Sequence, residues 1–273
     1  MRKIWDFLNG SKLPEKSFYP LLACIAFAAI SLVSYLFYWG EPIIDRDAVV
    51  YVKLMQYYDA NGKLPMVWYI SSLPFILFRF AGMIPGMTIE SGMFLVNNLA
   101  YGISIFLIGM IARKFLKNTE VALACALLYA FFPKIIAVNS SLLRESCGVC
   151  FALLTIFFFI CALDSKKLYY FFFTAFCGLC TAFCRIELLE LQMIIGLVML
   201  AMLFFKKWKF RYFFQSVLIY ISGLICALVV IACLLGGTLK EYSNIPDIIL
   251  FRCKANSRLL EDDADVPDYY FYQ

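Results

Sequence analysis

Three short charged clusters interrupt a chain that otherwise avoids charge: Asp45-Arg46-Asp47, Leu143-Arg144-Glu145 and Arg185-Ile186-Glu187. Each sits at the end of a long apolar segment. An ionisable side chain forced to the centre of a bilayer costs about 2.5–3.5 kcal/mol. Such groups are therefore kept where they meet water, each other or a charged ligand. The sequence contains no His, which removes the commonest general base and zinc ligand together. Acid–base chemistry then falls to carboxylates, and the cations for any anion come from Lys and Arg. If the three clusters emerge on one side, they outline one site.

The elements that must position them are apolar helices. Of 273 residues, 63% are hydrophobic, 18% aromatic and only 16% charged, and the mean hydropathy is +0.82. A soluble domain is about half apolar and about a quarter charged. Several stretches exceed the roughly 18 uncharged residues that mark a spanning helix. The pattern predicts an all-α polytopic membrane protein with about seven transmembrane helices, near 17–40, 91–112, 119–138, 146–163, 168–185, 187–205 and 212–236. Residues 1–236 form the membrane module, with an outer loop over 41–90, and 237–273 an external acidic tail. The first segment is flanked by Arg2, Lys3, Lys12 and Lys16 and shows no small-residue cleavage pattern, so it reads as an anchor. Most of the 11 Cys lie inside apolar segments. Cys177-x-x-Cys180 falls mid-helix and reads as packing rather than a redox pair.

Segment 64–89 is apolar but carries Arg79 with Pro65, Pro74 and Pro85. If it does not cross, the basic loops at 113–117, 166–167 and 206–211 share a side with the N-terminus. That side then holds 13 of the 24 Lys/Arg and 4 of the 19 acids. If it crosses, the later basic loops move outside, against the positive-inside rule. The favoured topology puts the N-terminus in the cytoplasm and makes 64–89 an interfacial or re-entrant segment of the first outer loop. All three charged clusters then lie at the outer face.

Within that loop, residues 47–60 read as a surface helix. Asp47, Val50, Tyr51, Leu54 and Tyr58 share one stripe, and Asn61-Gly62 ends it. Asp47 at the start suits an N-cap. The same residues also present a carboxylate at the lipid boundary with Lys63 nearby to hold an anion. Both readings stand at this level. Arg144 and Arg185 likewise read either as anion ligands or as helix-end arginines reaching for water. On a continuous helix Arg185 and Glu187 lie about 200° apart and do not pair. Glu187 and Glu190 share a face. Lys134 reads as a snorkelling residue, and the aromatic runs at 157–159 and 169–173 as interface belt and lipid-facing packing.

These motifs, in order over about residues 18–205, resemble the membrane-embedded C-fold (GT-C) glycosyltransferases, in the branch of protein O-mannosyltransferases and aminoarabinose lipid A transferases. In that branch the first external loop carries Asp-Glu-Ala-x-Tyr, then a Gly, then Lys-Pro-Pro-Leu-x-Tyr-Trp. Here Asp47-Ala48-Val49-Val50-Tyr51 keeps the Asp-to-Tyr spacing, and Gly62 with Lys63-Leu64-Pro65-Met66-Val67-Trp68-Tyr69 echoes the second block. Pro133 followed by Leu143-Arg144-Glu145 is similar to the family's third helix and outer turn. Gly178 through Arg185-Ile186-Glu187 is similar to its Gly-rich helix ending in Arg-x-Glu. The second acid of the family pair is Ala48 here, with Asp45 upstream supplying acidity, and the first Pro of the pair is Leu64. Members usually carry more helices and an external domain, so the chain reads as a short or truncated one.

The resemblance implies a glycosyltransferase of the plasma or inner membrane that uses a polyprenyl-phosphate-linked sugar. Its acceptor is a hydroxyl on a lipid, glycan or protein at the outer face. Asp47 matches the catalytic base, with Asp45 as the second carboxylate. Lys63 matches the lysine near the donor phosphate. Arg144 and Arg185 are candidates for the same phosphate, and Tyr51 and Glu187 for substrate contacts. The branch's precedent is inversion by direct attack without metal. Asp45 and Asp47 have the oxygen ligands for Mg²⁺ or Mn²⁺, but no cofactor is expected. Membrane lipids are expected partners; nucleic acid is not. Two other classes compete. A lipid-linked-sugar flippase would want charges deep in the bundle and broken helices in repeated halves. A non-catalytic truncated paralogue would fit the lost second acid.

Overall fold

A computed structural model describes residues 13–39, 46–61, 72–205 and 207–235, with residues 46–48 and 235 described by backbone alone. Asp45, Lys63 and the tail after 235 lie outside the described residues, as does the side chain of Asp47. The described residues are helical and contain no strand. In chain order the helices are α1 (Glu15–Trp39), α2 (Arg46–Asn61), α3 (Ser72–Gly82), α4 (Ile89–Leu116), α5 (Thr119–Ala130) and α6 (Pro133–Asn139). Then follow α7 (Glu145–Ser165), α8 (Tyr169–Cys184), a 3-10 turn (Ile186–Leu189), α9 (Glu190–Phe204) and α10 (Phe210–Leu235).

Five helical stretches are long and apolar enough to span a bilayer: α1, α4, α7, the 3-10 turn with α9, and α10. Two of the seven expected spans differ from expectation. The segment 119–138 is not one helix but α5 and α6, bent by 56° at Phe131–Phe132. Pro133 is the cause: it has no N–H to continue the ladder and drives Phe132 to φ −69, ψ 123. The carbonyl of Ala130, freed by the break, accepts the hydroxyl of Tyr101 from α4. The segment 168–185 is the 16-residue α8, about 24 Å long against a hydrocarbon core of about 30 Å. Its ten buried residues make it a central strut rather than a lipid-facing span. With these two elements, each of the seven apolar segments is helical.

Helix α3 is too short to cross. Its 11 residues reach about 16 Å, and seven of them are buried. Protein covers it, which is the condition for tolerating interrupted backbone at membrane depth. It folds back along α4 because Gly82 and Gly92 let the two backbones touch. A Cβ on Gly92 would stand 2.7 Å from the Gly82 nitrogen.

Helix α2 corrects the expectation of a lipid-facing surface helix. The stripe Tyr51, Leu54 and Tyr58 is buried, with Met55, against Phe75, Phe78, Met93, Leu143 and Cys147. The periodicity identified the apolar face correctly, but protein occupies it, not lipid. Asn61 closes the helix as expected, donating Nδ2–H to the Tyr57 carbonyl at 2.9 Å. Arg79 of α3 pairs with Asp59 at 3.3 Å and lies over the Tyr58 ring, fastening α3 to α2. The aromatic runs are also divided. Tyr169 and Phe173 are exposed, whereas Phe159 and Phe171 are core and pack with Trp208. The ten described cysteines are free thiols, and Cys177 and Cys180 are buried, consistent with packing.

The bundle has two chemically distinct ends. At one, Arg113 pairs with Glu15 at 3.2 Å and Lys114 with Asp164 at 3.0 Å, so the start of α1 and the 113–117 and 164–167 loops lie together. At the other lie the start of α7 and the end of α8. Glu145 and Asp164 are nineteen residues apart on α7, about 28 Å.

Candidate active site

Arg144 precedes the first turn of α7 and is buried. Its guanidinium lies over the Tyr51 ring, 5.4 Å from the centroid. That contact joins two of the residues expected to bind substrate, from positions 93 apart in sequence. A ring face offers the cation an electrostatic seat. Asp47 sits one turn upstream of Tyr51 on α2 by register.

Arg185 is the second cation. It ends α8 in an extended conformation, φ −148 and ψ 118, and the 3-10 turn follows at once. This geometry overturns the expectation that Arg185 and Glu187 cannot pair. The relation of about 200° holds only on a continuous helix, and the helix has stopped. Arg185 Nε lies 3.7 Å from Glu187 Oε2, and Nη1 lies 3.8 Å from Glu145 Oε1. Both distances exceed hydrogen-bond length, so the carboxylates balance the charge without taking up its N–H donors. Arg185 remains 42% exposed at its side chain, open to an approaching anion. Glu145 points toward Arg185 while its neighbour Arg144 points toward Tyr51.

Gly148 allows this juxtaposition. A Cβ there would meet Cys184 Cβ at 3.5 Å, Leu188 Cδ1 at 3.6 Å and Arg185 Cγ at 3.8 Å. The first turn of α7 thus packs directly on the Arg185 corner. Tyr51, Leu143, Cys147 and Cys184 belong to one core, so the parts of α2, α7 and α8 that carry the candidates are mutually fixed. Tyr51, Arg144, Arg185 and Glu187 gather at one end, while Lys134 is exposed on α6.

Sequence reasoning missed the polar scaffold beneath. Asn97 of α4 is fully buried, donates Nδ2–H to the Leu143 carbonyl and accepts the Cys147 thiol at 3.8 Å. Asn139 at the end of α6 accepts the Ser146 hydroxyl at 2.7 Å and donates to the Ile135 carbonyl at 2.7 Å. These amides brace the 140–146 turn from two sides. Amides inside apolar helices are a recognisable signal; Asn97 and Asn98 in the uncharged run 91–112 carried it. Asn97→Leu is expected to strand the Leu143 carbonyl and cost about 1–3 kcal/mol of stability. Thermal unfolding checks this; an unchanged midpoint would mean that Asn97 does not brace the turn.

The family model for dolichyl-phosphate-mannose-protein mannosyltransferase matches residues 65–235 of the chain. No curated protein matches, and no solved structure does.

Proposed function

Since the chain belongs to the dolichyl-phosphate-mannose-protein mannosyltransferase family, and is thereby a membrane glycosyltransferase, we propose that it moves a sugar from a polyprenyl phosphate to an acceptor hydroxyl at the outer face. The observation that carries this reading is the gathering of Arg144 over Tyr51 and of Arg185 beside Glu145 at one end of the bundle. A leaving lipid phosphate needs fixed positive charge where its own negative charge develops. Arg144, buried and held on an aromatic face, supplies a preorganised cation. Arg185, loosely balanced by two carboxylates, supplies one that can exchange those partners for phosphate oxygens. Lys63 would add a third cation from the loop that follows α2.

The base in this reading is Asp47, one turn before Tyr51. It would take the proton of the acceptor hydroxyl as the oxygen attacks the anomeric carbon. The bond from that carbon to the phosphate oxygen breaks, and the electron pair leaves with the lipid phosphate. Asp45 supports the local acidity. No metal is needed for this balance, because the arginines and Lys63 provide the positive charge. The membrane module over 1–236 would hold the site, with the acidic tail outside. The acceptor, whether lipid, glycan or protein, would approach from water.

The bend between α5 and α6 is the sort of discontinuity a lipid-linked-sugar transporter would use. Yet Lys134, the charged residue nearest the bend, is exposed, and the charged pairs sit at the bundle ends. Transfer fits better than transport.

The outer-face assignment has its own test. Asn61 and Lys167 are both exposed and lie toward opposite ends. In a chain freed of native reactive thiols, Cys at 61 is expected to react with a membrane-impermeant maleimide added outside intact cells, and Cys at 167 only after lysis. The reverse pattern would invert the topology and move the site to the cytoplasm.

A further inference from the structure

At the end of the bundle opposite the candidate site, a groove of about 710 Å³ opens between the start of α1, the end of α4 and the middle of α7. Its rim carries Arg113, Lys114 and Lys117 against one acid, Glu15. Its walls include Phe18, Met110 and Phe157. Two features make this more than a set of snorkelling side chains. First, Arg113 is fixed: its guanidinium lies 4.6 Å from the Phe18 ring centroid and 5.7 Å from that of Tyr19. Its ionic partner Glu15 is 87% exposed at the side chain, so it can turn into water and leave Arg113 to another anion without burying a lone charge. Second, Lys117 is placed by backbone. It caps α4 in the left-handed conformation, φ 52, and donates its N–H to the Arg113 carbonyl, which holds it one turn beyond Arg113 at the same rim.

We propose that this groove binds one anionic phospholipid of the adjoining leaflet. The phosphate would lie between Arg113 and Lys117, with Lys114 behind, and the first part of an acyl chain would run along Met110 and Phe157. Charge selects the headgroup: with Lys114 balanced by Asp164, Arg113 and Lys117 against one displaceable acid, Glu15, favour a net negative lipid over a zwitterionic one. The apolar walls select a lipid over a free anion, because inorganic phosphate would leave Met110 and Phe157 uncovered. The site is distinct from the donor site, since Asp164, which pairs with Lys114, stands about 28 Å along α7 from Glu145. Its occupant would clamp α1, α4 and α7 at their common end.

The test uses the full chain in detergent, with lipid retention read by native mass spectrometry. Phosphatidylglycerol and phosphatidylcholine of matched acyl chains are offered at equal concentration. Wild type is expected to retain phosphatidylglycerol preferentially. Retention should fall about fivefold in Lys117→Gln and further in the Arg113→Gln/Lys117→Gln pair, the fold-change equivalent to about 1 kcal/mol per cation near a membrane surface. Lys166→Gln/Lys167→Gln, at the same end but outside the groove, should change it by less than about twofold. Equal retention of the two lipids overturns the proposal. So does an equal loss in the Lys166/Lys167 pair, which would mark diffuse surface charge. Displacement of the lipid by millimolar inorganic phosphate also overturns it, in favour of a free-anion site. Should Arg113→Gln fail to accumulate, Lys117→Gln decides alone, because Lys117 is exposed and its capping bond is made by backbone.

Discussion

Asp47→Asn is expected to accumulate in the membrane like wild type and to lose turnover by about 10²-fold or more, the usual scale for a positioned base. Two roles compete for this residue, and the substitution separates them. The structure corrects the capping role, because α2 begins at Arg46 and Asp47 is its second residue. Asn keeps the size and loses only a first-turn charge of about 0.3–1 kcal/mol, so α2 and its buried stripe of Tyr51, Leu54 and Tyr58 should be undisturbed. Proton acceptance by the carboxylate is lost. Asp45→Asn should cost much less, because Asp45 precedes α2 and has no counterpart in the family spacing. Equal losses at the two positions would point to a shared metal or a shared proton, and sensitivity to EDTA would tell these apart. Full activity in Asp47→Asn would leave Asp47 only its charge in the first turn of α2. Glu145→Gln is the informative companion in that event. Glu145 Oε2 is buried and accepts no hydrogen bond from the described residues, so it is the next carboxylate to examine as a base.

The apolar periodicity made the helices legible, and the order of the charged clusters made the site legible. Both follow from strong, local rules: about twenty apolar residues per span and a large cost for charge at depth. What stayed hidden were facts about neighbours. The stripe on α2 looks the same in sequence whether lipid or protein covers it, so Tyr51 was identified but its seat under Arg144 was not. Arg185 and Glu187 were separated by helical arithmetic that applies only while the helix continues, and nothing in Cys184-Arg185-Ile186 announces the extended residue that ends it. The bend at Phe131–Phe132 was written in Pro133, whose effect on a preceding helix is known, yet the unbroken hydropathy over 119–138 masked it. Asn97 could have been flagged as a buried amide, but its partner, the Leu143 carbonyl, is a backbone atom that no side-chain pattern reports.

Arg144→Ala should lower the rate of sugar transfer by about 10²–10³, the range for removing a preorganised charge-stabilising donor, and Arg185→Ala by less. The difference follows from their settings. Arg144 is buried over the Tyr51 ring, where a lower dielectric strengthens its field. Arg185 is 42% exposed at its side chain and already faces two carboxylates, so solvent and Glu145 and Glu187 blunt it. Arg144→Lys should recover little, because a compact ammonium replaces a planar fork that stacks on an aromatic face. Arg185→Lys should recover more. Accumulation must be read beside activity, since Arg185→Ala leaves Glu145 as a half-buried carboxylate without this cation. Adding Glu145→Gln to Arg185→Ala removes that burden. If Arg185 meets the donor phosphate, the double variant regains its level in the membrane and stays slow, with a raised KM for donor lipid. If it regains activity as well, Arg185 served only to neutralise Glu145, and the phosphate is left to Arg144 and Lys63.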